Sequence, residues 1–281
     1  MPCISISSRE LPLKSSYMLS VLKDIWRERG IEVHVAHDFH SEADLCILHH
    51  DRTFLVEDDI PNAPDGVRVL NGRVRDISKR RYSTLILKPE SDWNGPVILK
   101  TNLNHFGAPE RREAGKTLEG ELRRLLARRS WRLAKTLPQG GYPVLDTIQA
   151  VPDWVWRDPA LIVEKFMPER RDGLYCLRGW LFFGEASYGY RLFATDPLVK
   201  VKSITSYEYI DTLPPEPIRR MRDEMAFDFG KFDYVIHDGV PILLDANKTP
   251  SLARGARSER VLNLMRAIEG YLDRGAPCLS R

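Results

Sequence analysis

The tightest constraint on this chain lies in residues 232–250, Phe232-Asp233-Tyr234-Val235-Ile236-His237-Asp238-Gly239-Val240-Pro241-Ile242-Leu243-Leu244-Asp245-Ala246-Asn247-Lys248-Thr249-Pro250. Two strand-forming runs flank Asp238-Gly239, a dipeptide that suits a tight hairpin turn because both positions tolerate positive φ. Asp233, Asp245 and Asn247 stand where packing alone would select apolar residues, and a carboxylate placed there needs a partner. Asp245 and Asn247 are two apart, so on a strand both project from one face. Register decides whether Asp233 joins them. A two-residue turn sets Asp233 opposite Leu244, whereas a three-residue loop over 238–240, or a bulge, sets it opposite Asp245. We expect the second arrangement, since Pro241 cannot donate a ladder hydrogen bond and an irregular turn beside it is reasonable. Two carboxylates and an amide oxygen then converge as hard ligands for Mg²⁺. The competing reading is a surface hairpin with solvated aspartates.

Elsewhere the pattern is that of an α/β (α+β) protein. Ile4 and Ile6 open a strand, residues 15–29 carry Leu19, Leu22 and Trp26 at helical spacing, and Gly30 stops that helix. Ile31, Val33 and Val35 alternate as a second strand, and 43–48 form a third, ending in His49-His50-Asp51. Pro61 and Pro64 mark a joint, with a domain boundary near residue 75, giving a small β-α-β lobe (1–75) and a larger domain (76–281). In the latter, 82–87 and 96–100 read as strands and 110–135 as an Arg-rich helix with Leu118, Leu122, Leu125 and Leu133 in a stripe. That helix reads as a solvated face covering the core with its stripe, or as a docking surface for an anionic partner. Three antiparallel strands (161–166, 175–183, 187–192), a helix (217–227), the hairpin and a last amphipathic helix (258–272) complete the chain. That last helix is expected to bury Val261, Leu264, Met265, Ile268 and Leu272.

At 281 residues the chain is long for one compact domain, and 43% hydrophobic residues supply an ample core. A formal charge of +3 is too mild for a dedicated nucleic-acid binder. Cys3, Cys46, Cys176 and Cys278 lack any C-x-x-C spacing, which disfavours a zinc knuckle or a disulfide framework. With no apolar run long enough to span a bilayer and no signal-peptide pattern, a soluble cytoplasmic protein is expected.

The run from Phe232 to Pro250, an Asp followed by a hairpin and Asp-Ala-Asn-Lys-Thr-Pro, resembles the metal-binding signature of the ATP-grasp superfamily. Other segments resemble that superfamily in the same order. Gly95-Pro96-Val97-Ile98-Leu99-Lys100 looks like the strand delivering a nucleotide-phosphate lysine, and 102–107 like the loop over the phosphates. Glu164-Lys165-Phe166-Met167, within 161–167, is similar to the hinge whose backbone meets adenine, and Lys79 to the earlier nucleotide lysine. The lobe before residue 75 resembles the preATP-grasp domain. The resemblance implies two α+β subdomains clasping ATP, with Mg²⁺ on Asp233, Asp245 and Asn247. It departs from the common pattern in a phosphate loop poor in glycine and in Asp245 where Glu is commoner; Asn102, Asn104 and Phe106 would then supply phosphate donors.

Further candidates follow from charge in apolar settings. Arg178, between Leu177 and Gly179 on an expected strand, calls for an anion, which a phosphate or acyl phosphate would supply; Arg191 repeats the argument. Structural salt bridges compete with both. Lys200 and Lys202 recur at period two on one expected strand face, Lys231 precedes the hairpin, and Arg254 and Arg257 follow it as possible carboxylate clamps. His34, His37, His40, His49 and His50 are read as surface or lobe-interface histidines on different faces and not as metal ligands. The tryptophans are read as packing residues. What the resemblance implies chemically is ligation: ATP converts a small-molecule or peptide carboxylate to an acyl phosphate, which an amine or thiol attacks. A kinase acting on a hydroxyl and a regulatory module that binds ATP without turnover are the alternatives.

Overall fold

Strands β1 (Cys3–Ser7), β2 (Glu32–Ala36), β3 (Leu45–Leu48) and β4 (Val69–Leu70) form a parallel sheet in the order β2-β1-β3-β4. The computed structural model describes residues 1–272 apart from 109, 111–117, 128, 139–140 and 253–255, and only the backbone of 119, 121, 124 and 201. The helix Met18–Glu28 makes the crossover from β1 to β2, as parallel strands require, and buries Met18, Leu19, Leu22, Ile25 and Trp26. Period-two alternation turns Ile4, Ile6, Val33, Leu45 and Ile47 into this core, while Cys3 and Cys46 belong to a separate small cluster.

A second, three-stranded sheet is antiparallel, with β5 (Val97–Thr101) between β6 (Val144–Leu145) and β7 (Leu161–Lys165). Trp93, Trp131, Trp154 and Trp156 pack on its core, as packing residues should. The third sheet is antiparallel and larger: β8 (Glu169–Arg171), β9 (Leu174–Phe183), β10 (Ala186–Ala194), β11 (Ile204–Ile210), β12 (Phe229–His237) and β13 (Val240–Asn247). Its order is β11-β10-β9-β12-β13, with β8 also on β9.

The core of the first seventy residues runs on into this sheet. Leu181, Phe183 and Phe229 join it, with Val261, Leu264, Met265 and Ile268 from the C-terminal helices. Trp26 is fully buried there and its Nε1–H donates to the Met265 carbonyl at 3.1 Å.

Several elements differ from the sequence expectation. Residues 82–87 are not a strand: Lys79–Tyr82 form a helical turn, and Ile86 makes only an isolated bridge to Glu164. Tyr82 is drawn out of register because its ring is buried and its hydroxyl reaches β13. Lys200 and Lys202 share no strand face, since Val201–Ser203 is a 3₁₀ turn and β11 begins at Ile204. The last helix is two, Glu259–Arg266 and Glu269–Leu272. The leucine stripe does not face the core: on the helices Leu118–Ala127 and Trp131–Ala134, Leu118, Leu122, Leu125 and Leu133 are exposed, and among the described side chains those buried are Ala127 and Ala134. No helix among the described residues is long and apolar enough to cross a membrane.

Because one core serves both parts of the chain, Trp26→Ala should destabilise the whole molecule by about 3–5 kcal/mol, the usual cost of such a truncation. Urea unfolding followed by far-UV circular dichroism should show one transition shifted to lower denaturant, and not loss of the first lobe alone.

Candidate functional site

The hairpin is closed by Asp238-Gly239 with φ of +49° and +81°, so that His237 faces Val240 in a regular two-residue turn. Pro241 pairs with Ile236, and the irregularity lies farther along: Tyr234 faces Leu243 and Asp233 faces Asp245, leaving Leu244 as the extra residue of a bulge. The bulge, not the turn, sets the two carboxylates opposite each other. It is braced by Tyr82, whose hydroxyl donates to the Leu244 carbonyl at 3.4 Å.

Cations flank the pair. Lys231 Nζ lies 2.8 Å from Asp233 Oδ2, and Lys79 Nζ lies 3.5 Å from Asp245 Oδ1. Burial pushes the Asp233 carboxyl above its ordinary value despite Lys231, and the charge of Asp245 adds to the rise. Burial disfavours the Lys231 ammonium, yet Asp233 and Tyr190 hold it protonated above its ordinary value. Tyr190 reaches this pair because Gly179 lies beneath it: a Cβ on Gly179 would sit 2.1 Å from the Tyr190 ring. Lys79, at 4% exposure, is no solvated loop residue; three positions on one helical turn aim Lys79 and Tyr82 at the same stretch of β13.

Asp233 and Asp245 border a cavity of about 400 Å³. Lys79, Lys100 and Tyr142 line it, as do Lys165, Phe166 and Met167 of the segment after β7, with Leu85, Ile98, Leu177, Val235 and Leu244 as apolar wall. Lys100 is held by Glu164 at 2.7 Å across β5 and β7, and Lys165 lies over the Trp93 ring. Tyr142 stacks on Phe106 and its hydroxyl meets Thr101 Oγ1 at 3.1 Å. An apolar wall beside four lysines, Lys79, Lys100, Lys165 and Lys200, and two carboxylates suits a ligand with a flat apolar body and a polyanionic tail.

The loop over 102–107 is wound tightly, with His105, Phe106 and Gly107 all at positive φ, where the first two pay a steric cost. Its expected donors are largely committed to protein: Asn102 N–H to the Ala160 carbonyl, Asn104 N–H to Thr53 Oγ1, and Asn104 Nδ2–H to Asp51 Oδ1. Asn104 still borders the cavity.

Other candidates fall elsewhere. Arg178 does find an anion, but it is Glu169, at 2.6–3.1 Å; Glu169 also accepts from Ile236 N–H. Arg191 pairs with Glu208 on β11 at 2.5 Å, and Arg257 with Glu28 on the first helix. Neither Arg178 nor Arg191 lines the cavity. Arg254 lies outside the described residues. Asn247 Oδ1 accepts from Thr249 N–H at 2.8 Å and is not in the lining. Thr249 in turn donates to Asp51 Oδ1 at the end of the first lobe. Tyr142, Tyr190 and Gly179 were not anticipated, since no pattern marks a residue that acts by filling or vacating space beside a distant strand.

His49 and His50 are buried, not on the surface. Burial drives both down, His49 to about 3 with help from His50 and His50 to about 4 with help from Arg9. His34 and His40, expected on different faces, instead stack with ring centroids 4.0 Å apart.

No family model matches the sequence. No curated protein matches it. Solved structures do. A RimK domain protein ATP-grasp from Sphaerobacter thermophilus is 12% identical with a TM-score of 0.50, over 96% of this chain and 99% of that one. A RiPP-associated ATP-grasp ligase from Chryseobacterium gregarium, in complex with ADP and a leader and core peptide, reaches a TM-score of 0.53 at 9% identity over 99% and 98%. The ATP-grasp ligase PsnB complexed with minimal precursor gives 0.51 at 11% over 96% and 98%.

The two histidines generate a pH prediction. Both are neutral in the folded chain and take up protons near 6.5 when unfolded, so stability is full above about 6.5 and is lost as pH falls toward 4 and 3. Each should cost about 1–2 kcal/mol between pH 6.5 and 5. His50→Gln should therefore show a smaller drop in unfolding free energy between pH 7 and 5 than the native chain; an equal drop would contradict a neutral buried His50.

Proposed function

From the ATP-grasp fold of this chain we propose an ATP-dependent ligase that turns a substrate carboxylate into an acyl phosphate and joins it to an amine. The observation that carries this reading is the Asp233–Asp245 pair, set across a bulge at the rim of a cavity that also takes Lys79 and Lys100. The apolar wall of Leu85, Ile98 and Leu177 receives the purine beside Lys165, Phe166 and Met167. Lys79 and Lys100 face the phosphates, and each is already oriented by a carboxylate, so little reorganisation is needed as charge develops on the transferring γ-phosphoryl group.

Two neighbouring carboxylates form a hard-oxygen donor set of the kind Mg²⁺ takes, and their mutual repulsion is what a divalent cation relieves. Bound there, Mg²⁺ would neutralise charge on the phosphate oxygens. Asp233 and Asp245 would hold it; Asn247 Oδ1, which already accepts from the Thr249 N–H, would join through its second lone pair. Arg178 and Arg191 take positioning roles in this reading. The Arg178–Glu169 pair, bonded on to Ile236 N–H, fastens β8 and β9 to the hairpin.

A peptide carboxylate is the substrate class we favour, since one of the similar structures is a complex with a leader and core peptide. Product analysis tests the function. ADP and phosphate released only when both a carboxylate and an amine are present would support it. ADP with a stable phosphate ester would make the protein a kinase, and ATP binding with no ADP across broad substrate mixtures would make it a binding module; either overturns the ligase. Asp233→Asn and Asp245→Asn should each lower ADP formation at least about 100-fold, the scale of losing one charge-stabilising group, with the circular dichroism spectrum intact. Full activity in both would overturn the metal assignment.

A further inference from the structure

We propose that the first lobe carries a second metal site, in which Cys3, His34 and His40 bind a zinc-class divalent ion apart from the nucleotide cavity. Three separate segments converge there. Cys3 opens β1 opposite Glu32, and His34 lies two pairs farther along β2 opposite Ser5, so period two places Cys3 and His34 on one face of the sheet. His40 comes from the connection between β2 and β3, anchored where its backbone N–H donates to Ser5 Oγ at 2.9 Å.

One ligand atom from each residue lies within 4.8 Å of the others. The centre of such a triangle is at most about 2.8 Å from each atom (4.8/√3), against Zn–S near 2.3 Å and Zn–N near 2.0–2.1 Å. Adjustments of up to about 0.5 Å for the sulfur and about 0.8 Å for each nitrogen close that gap. One thiolate and two imidazoles form a donor set that selects zinc over magnesium or calcium, with the fourth position left to water.

The surroundings match. Glu32 Oε1 lies 2.8 Å from His34 Nε2, the carboxylate–histidine pairing that orients an imidazole for a metal on its other nitrogen. Asp44 accepts the Cys3 N–H at 2.7 Å, and with Glu32 and Glu42 it adds negative charge around the thiol. Two contacts work against an ion: Glu42 N–H to His40 Nδ1, long at 3.3 Å, and the near-parallel stacking of the His34 and His40 rings, with centroids 4.0 Å apart, which binding must open by ring rotation. Cys3 is buried and His34 is partly open, which leaves a path from solvent. Cys3 and Ser7 stand at opposite ends of β1, about 13 Å apart at the usual strand rise, and it is the Ser7 end that leads toward His50. An ion here pins the 37–44 connection to the sheet and takes no part in ATP chemistry.

Cobalt(II) titration of the full chain, stripped of metal with a chelator and kept reduced, tests this directly. The native protein should bind one equivalent with a thiolate-to-cobalt charge-transfer band and intense four-coordinate d–d absorption, and zinc should displace it and raise the Tm. Cys3→Ser should lose the charge-transfer band. His40→Ala should bind at least about ten-fold more weakly, and Glu32→Gln, an exposed change that leaves the fold intact, about ten-fold more weakly through the lost orienting contact. Absence of the band in the native chain, or its persistence in Cys3→Ser, or unchanged affinity in His40→Ala, would overturn the site.

Discussion

The bulge at Leu244 is the constraint on which the candidate site depends. Without that extra residue the strands would keep even register, Asp233 would face Leu244, and one carboxylate would point away from the other. With it, two acids share a face between Lys231 and Lys79, and the Tyr82 hydroxyl on the Leu244 carbonyl helps hold the irregularity in place. Lys79 and Tyr82 come from the same helical turn, so the segment that steadies the bulge also supplies a cation to it.

Around this hairpin four of the cations that the sequence made conspicuous are answered by protein counterions, whereas Lys248 Nζ is buried without a hydrogen-bond partner. Lys100 meets Glu164, Arg178 meets Glu169, Arg191 meets Glu208 and Lys231 meets Asp233. An unpartnered charge in such surroundings costs several kcal/mol, a penalty that these four pairings reduce. The pairs are not equivalent in position. Lys100 stays on the cavity wall while paired, and Asp245 with Lys79 borders the same space; Arg178 and Arg191 are not part of its lining. The first group can exchange or share its partner with an incoming polyanion, whereas the second serves to tie strands together.

The parts of the fold legible beforehand were those written in local pattern. Alternation in β1 and β2, the apolar run of β3, the glycine ending the first helix, the Asp238-Gly239 turn and the burial of Val261, Leu264, Met265 and Ile268 all appear where their residues indicate. Even the pairing of Asp233 with Asp245 was within reach, although its cause was sought at Pro241 and lies at Leu244. The misreadings share a reason. Residues 82–87 have strand-like composition but are taken over by the burial of Tyr82, and the leucines of the Arg-rich helix have the right period yet face solvent. Periodicity reports that one face of an element is apolar; it does not report whether another element covers that face.

By itself, then, the sequence determined most of the strands and helices, which apolar faces pack in the first lobe, and that the hairpin near the C-terminus concentrates acidic groups, because periodicity and turn chemistry act over a few neighbouring residues. Only the tertiary structure decided which anion each arginine meets, that His49 and His50 are enclosed, and that Cys3, His34 and His40 stand together. Those outcomes depend on how sheets and connections far apart in the chain are brought into contact, and a side chain's partner across such a distance leaves no mark in its own flanking residues.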